Sequence, residues 1–305
     1  MTASAHASVK KGIEKRRQAR PISGRIFPYL LILPTVLVVA LVVLYPVMQA
    51  VGMSAFSYRL LGGRQLVHFT GLANYQKLLV SNNFWHSLWI TLIYTAGTVA
   101  GSYAIGLGTA LVLNEKFCGR SVARLLVLLP WPIPLVAASL LWMWMYDYQY
   151  GVINYLTGLH TNWLGQPSMA MLAVLLPSIW QQYPVATVML LAGLLAIPNE
   201  LYNAAAVDGA NRWQRFRYVT LPGLRPVTVV IVLLLTIWSF KKFDFIYIMT
   251  EGGPAKATET LILQTYLQAF KSWQLGYASA LGTVSLLISL FFTITYLAVL
   301  RKNEE

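Results

Sequence analysis

The chain has 305 residues, 57% of them hydrophobic and only 11% charged, with a formal net charge of +13. A water-facing domain of this length carries about 25% charged residues, so the composition excludes an ordinary soluble protein and makes lipid the solvent for much of the chain. One cysteine, Cys118, excludes an internal disulfide, and His6, His68, His86 and His160 show no metal-ligand spacing.

Residues 1–25 form a basic tail. The first apolar run, 26–51, exceeds the roughly 7–15 residues of a signal-peptide core and reads as a span. About 20 apolar residues cross a hydrocarbon layer of about 30 Å. Five more runs qualify: 88–113, 125–145, 169–197, 227–249 and 281–300. Each is far longer than a barrel strand of about 10 residues and lacks period-2 alternation. The expected fold class is therefore an all-α membrane protein with six transmembrane helices. The expected domains are the 1–25 tail, a transmembrane domain over 26–300 and a short tail at 301–305. Prolines within the runs, above all Pro130, Pro132 and Pro134, imply kinks.

Sixteen Lys and Arg fall in the N-terminal tail, at 116–124, at 212–225 and at the C-terminus. Five fall in the alternate loops, at Arg59, Arg64, Lys77, Lys256 and Lys271. That bias places both termini in the cytoplasm. It also makes the positive charge topological, so no nucleic-acid partner is needed to explain it.

Polar residues inside spans are costly and usually face a bundle interior or a cavity. The fourth run carries Ser178, Gln181 and Gln182; the fifth carries Trp238, Ser239, Lys241, Lys242 and Asp244. Amides and hydroxyls suit sugar hydroxyls, and an aromatic face suits a sugar ring. The same groups equally serve as interhelical hydrogen bonds. The charges near the end of the fifth run read as snorkelling. A Lys242 turned to a cavity would instead favour an acidic or phosphorylated solute.

The segment 198–222 between the fourth and fifth runs is the most informative. Asn199 suits an N-cap, Ala204, Ala205 and Ala206 favour helix, and Gly209 supplies a turn. Asn211 and Gln214 have capping-box spacing, and Pro222 ends the second piece. The result is two short helices with a small-residue patch. Trp213, Phe216 and Thr220 share a face, interleaved with Arg212, Arg215 and Arg217. On chemistry alone such a connector fits a lipid surface or a protein groove equally well.

The pattern Ala204-Ala205-x-x-Asp208-Gly209-Ala210, then Phe216, then Leu221-Pro222 resembles the EAA loop of ABC importer permeases. Phe243-Asp244-Phe245 through Gly252-Gly253-Pro254, with Gly276-Tyr277-Ala278 beyond it, is similar to the carbohydrate-importing members of that family, including maltose and glycerol-phosphate permeases. The resemblance implies that the loop is a cytoplasmic coupling helix. Its ATPase-coupling residues would be Asn203, Ala204, Ala205, Asp208, Gly209, Ala210, Trp213 and Phe216. Asn203 replaces the family's leading glutamate, losing its charge while keeping hydrogen-bonding capacity. A gapless match of 178–254 to maltose-importer permeases implies a substrate pathway at Ser178, Gln181, Gln182, Trp238 and Ser239. Val185 and Leu235 also fall on contact positions but offer no hydrogen bond.

The implied function is the permease subunit of an ATP-driven importer of a sugar or sugar-like solute, acting by alternating access in the inner membrane of a prokaryote. The implied partners are a second, non-identical permease, two ATPase subunits, an extracytoplasmic substrate-binding protein and membrane lipid. ATP and Mg would bind the ATPases, since the sequence has no phosphate-binding loop motif, and no cofactor is expected on this chain. A glycerol-phosphate permease is the alternative within the family. A secondary transporter would call for inverted repeats or a midplane charged relay, and neither is evident in the sequence. A membrane-embedded enzyme would need a converging set of reactive groups, which the spans lack.

Overall fold

The computed structural model describes residues 27–61 and 64–302; the basic tail at 1–25 lies outside them, as does most of 301–305. The chain divides into two units at Gly52 and Met53. The first is built on helix α1, Phe27–Ser54, which is apolar throughout its length. Pro46 lacks the N–H that would close the preceding turn. The helix accommodates it with a widened π turn at Ala40–Leu44.

The second unit opens with a feature that the all-α expectation omits. Strands β1 (Phe56–Leu61) and β2 (Arg64–Phe69) form an antiparallel hairpin, with Phe56 opposite Phe69 and Leu61 opposite Arg64. The phenyl rings of Phe56 and Phe69 meet edge-on at 5.4 Å. In the sequence a Gly-Gly pair stands between the two strand segments, a pairing that favours hairpin connections.

Helices follow in chain order: α2 (Ala73–Val80), α3 (Asn82–Asn114), α4 (Arg120–Leu128), α5 (Leu135–Met145), α6 (Val152–Thr157), α7 (Pro167–Ala196), α8 (Asn199–Val207), α9 (Arg212–Gly223), α10 (Arg225–Phe240), α11 (Asp244–Thr250), α12 (Leu261–Tyr266) and α13 (Leu275–Lys302). Among the described residues, α1, α3, α7 and α13 are each long and apolar enough to cross a bilayer. The pair α9 and α10–α11, bent by 66°, makes a fifth candidate.

Two of the six expected spans are not single helices. The third is split into α4 and α5, because Pro130, Pro132 and Pro134 remove three N–H groups in five residues. The fifth stops at Phe240 and resumes at Asp244. By contrast, α7 runs through Pro177 and Pro184 without a break.

The longest interface in the unit joins α3 to α7. Glycines on α3 let the two backbones approach: Gly97 faces Leu175, Gly101 faces Ile179, and a Cβ on Gly106 would stand 2.6 Å from the Ala186 Cβ. Small residues at such contacts are how helices associate where apolar surface alone gives no preference for protein over lipid. Three buried clusters result. One joins the ends of α3 and α7 to α10, one joins α5, α11 and the middle of α7, and one joins α2, α12 and α13.

Candidate functional site

The residues singled out from the sequence gather in two places. The first is the α8–α9 segment. Asn199 is the first helical residue of α8 rather than its cap, because Pro198, extended at φ −60° and ψ 134°, holds the cap position. At the other end Gly209 N–H donates to Ala206 O (3.1 Å) and Ala210 N–H to Ala205 O (2.9 Å). This is a Schellman turn with Gly209 at φ +80°. Apart from its chain neighbours, no atom of the described residues lies within 4 Å of where a Gly209 Cβ would stand. Left-handed backbone, rather than crowding inside this chain, is what calls for glycine there.

The capping box forms as its spacing predicts. Asn211 Oδ1 accepts from Gln214 N–H at 2.9 Å, and Asn211 N–H donates to Gln214 Oε1 at 2.8 Å. The hydroxyls of Tyr202 and Thr220, 3.0 Å apart, tie α8 to α9. The face expected to group Trp213, Phe216 and Thr220 is divided: Trp213 is 65% exposed, Phe216 is half-buried and Thr220 is buried. The wide turn Phe216–Thr220 before Pro222 changes the helical rotation between them.

Outward, the segment presents Asn203, Ala204, Asp208 and Gly209, with Ala205 and Ala210 half-buried. Trp213 stands 5.6 Å from the Phe216 ring, and Val207 and Tyr218 of the same segment are exposed. Inward, Tyr202 and Val219 pack against the buried cluster that includes Leu194, Ile197, Leu224 and Ile231. The segment is thus seated on the ends of α7 and α10 and offers a small-residue and aromatic surface.

The second place lies midway along α7. Ser178 is buried and bonded to the Tyr94 hydroxyl on α3, while its own hydroxyl donates to Val174 O at 2.9 Å. Ser239 on α10 donates to Gln182 Oε1 at 3.4 Å. The other end of that amide, Gln182 Nε2, is buried with no hydrogen-bond partner among the described residues. Lys242 Nζ donates to Gln181 Oε1 at 3.0 Å and lies 5.3 Å from the centre of the Phe245 ring. Trp238, 40% exposed, stands apart from these bonds. Val185 is half-buried, and Leu235 lies in the α7–α10 core.

Lys242 therefore turns inward, where snorkelling was expected. Both lysines fall in the break between α10 and α11, where Lys241 is exposed and Lys242 partly buried. Asp244 sits in the first turn of α11, where the positive helix end favours a carboxylate.

Several participants on α3 escaped sequence reasoning. Tyr94, Thr98 and Ser102 repeat every four residues, with Thr91 and Thr95 beside them, and all five are buried. The periodicity of small polar residues in an apolar run was the readable signal. The Gly252-Gly253-Pro254 segment leads back onto the same helix. Asn83 Nδ2 donates to the buried Glu259 at 2.9 Å, Lys256 Nζ donates to Asn83 Oδ1 at 2.6 Å, and Leu261 N–H donates to Thr91 Oγ1 at 2.9 Å. Among the described residues no group of three or more His, Cys, Asp or Glu is placed to hold a metal.

Residues 102–304 match the family described as binding-protein-dependent transport system inner membrane component. The chain is 38% identical over 281 residues to the trehalose/maltose transport system permease protein MalF of Thermococcus litoralis, covering 91% of this chain and 94% of that one. It is 37% identical over 287 residues to the sulfoquinovosyl glycerol transport system permease protein SmoG of Agrobacterium fabrum, covering 93% of each. Its fold is similar to a chain in the crystal structure of a bacterial ABC transporter involved in the import of the acidic polysaccharide alginate. There the TM-score is 0.76 at 20% identity, over 91% of this chain and 96% of that one.

Proposed function

The chain belongs to the family of binding-protein-dependent transport system inner membrane components, and from that premise we propose that it is the permease subunit of an ATP-driven carbohydrate importer. The observation that carries the reading is likeness over nearly the whole chain to permeases named for trehalose/maltose and sulfoquinovosyl glycerol transport. In this reading six crossings are made by α1, α3, the α4–α5 pair, α7, α10–α11 and α13, in a prokaryotic inner membrane with both termini in the cytoplasm.

The α8–α9 segment is the coupling element. A separate ATPase subunit receives it in a groove, through Ala204, Ala205, Gly209 and the Trp213–Phe216 pair. Its seat, through Tyr202 and Val219, on the buried cluster of α7 and α10 supports this role. A push on α8 is passed to α7 and α10 together, as a rigid shift between two packed arrangements that alternates access to the pathway. The solute passes Ser178, Gln181, Gln182, Trp238 and Ser239, whose amides, hydroxyls and indole suit a sugar. A second permease closes the pathway, and an extracytoplasmic binding protein delivers the cargo.

The inward turn of Lys242 favours a second cargo class, a sugar carrying an acidic group. Uptake into proteoliposomes holding the complete transporter, its binding protein and internal ATP tests both. Neutral and acidic labelled glycosides are compared, and uptake that needs ATP is the expected result. Transport of either by this chain alone, without an ATPase, would overturn the reading.

A further inference from the structure

Away from both clusters, the ends of α3, α4 and α7 enclose a groove of about 280 Å³. Leu113, Val127, Leu128, Val188, Leu191 and Leu195 form an apolar wall, and Arg124 stands in it. Leu113 and Leu195 are each one residue from the end of a spanning helix. The groove therefore lies where those helices leave the apolar layer, at the level of lipid headgroups.

Arg120 and Arg124 are one helical turn apart on α4, on the same face. Arg120 Nε donates to Leu113 O at 2.6 Å. Its Nη2, and Nε of Arg124, are buried with no hydrogen-bond partner among the described residues. Unpaired buried donors on a cation are costly, and an oxyanion with several acceptors satisfies them. A guanidinium fork fits phosphate oxygens in particular. Free phosphate has no use for the leucine wall, whereas a phosphate joined to an acyl chain uses both halves of the site.

We propose that this groove binds an anionic phospholipid, with its phosphate on Arg120 and Arg124 and an acyl chain along Leu191 and Leu195. The site touches the machinery described above: Ala123 and Val127 of α4 pack on the same core as Tyr202 and Val219. A bound lipid thereby braces the seat of α8 and α9.

The test is native mass spectrometry of the transporter, purified in mild detergent and re-equilibrated with phosphatidylglycerol or phosphatidylcholine. The expected result is saturable phosphatidylglycerol retention that falls about fivefold in Arg124→Gln and is unchanged in Arg64→Gln, an exposed arginine of the hairpin. Val188→Trp, which fills the groove and leaves both arginines in place, lowers retention as well. Equal retention of both lipids by the wild type overturns the proposal and requires no variant to fold. Wild-type retention in a folded Arg124→Gln transporter overturns it too. So does a photo-crosslink from a benzophenone side chain placed at Leu195 to a neighbouring subunit, which would show protein in the groove.

Discussion

At Gly209 the backbone carries the constraint. The surroundings are open, so alanine meets no clash, yet φ +80° costs an L-residue about 1–2 kcal/mol. Gly209→Ala is expected to loosen the end of α8 and reduce ATP-dependent uptake severalfold, while Gly209→Asn, which tolerates left-handed backbone, keeps more of it. Protease accessibility of the loops checks that insertion is unchanged in both. Uptake in Gly209→Trp equal to wild type would remove this segment from the coupling route. The bond between Tyr94 and Ser178 is a second residue-scale case. A double-mutant cycle of Tyr94→Phe and Ser178→Ala should show coupling of about 0.6 kcal/mol in a denaturant titration, the size typical of interhelical hydrogen bonds in lipid. Additive effects would mean that the two hydroxyls are independent.

Elements were legible in proportion to how local their causes are. The long apolar runs mark α1, α3, α7 and α13 because each needs only its own composition to be stable in lipid. The Asn211–Gln214 cap was legible for the same reason. The break at 241–243 was not, because the bond from Lys242 to Gln181 spans 61 residues of sequence. Nor was the Tyr94–Ser178 bond, whose partners are 84 residues apart. The hairpin was overlooked although its paired glycines announce a turn, since a reading tuned to 20-residue runs passes over six-residue strands. The α3–α7 contact yields a prediction at this scale. Gly106→Leu places a branched side chain against Ala186 and the Thr187 backbone, so the helices must separate. Overpacking of this kind costs about 1–3 kcal/mol. The variant should give a lower midpoint of thermal aggregation and less folded protein by size exclusion, and Gly108→Leu, whose Cβ meets nothing, should not.

For the molecule as a whole, parts distant in sequence are joined at one end of the second unit. Arg59 of the hairpin bridges Gln274, and the Gly276 backbone lies so close to Phe56 O that no side chain fits between them. With Cys118 replaced by serine, Arg59→Cys and Gln274→Cys should form a disulfide under mild oxidation, read as a mobility shift on a non-reducing gel. No crosslink in membranes would show that the hairpin leaves α13. The pairing also has a cost in time. About 220 residues separate Phe56 from Gly276. At roughly 5–20 residues per second a ribosome needs roughly ten to forty seconds to make them. Throughout that interval the hairpin lacks its partner on α13, and the helix that shelters it is the last made of those described.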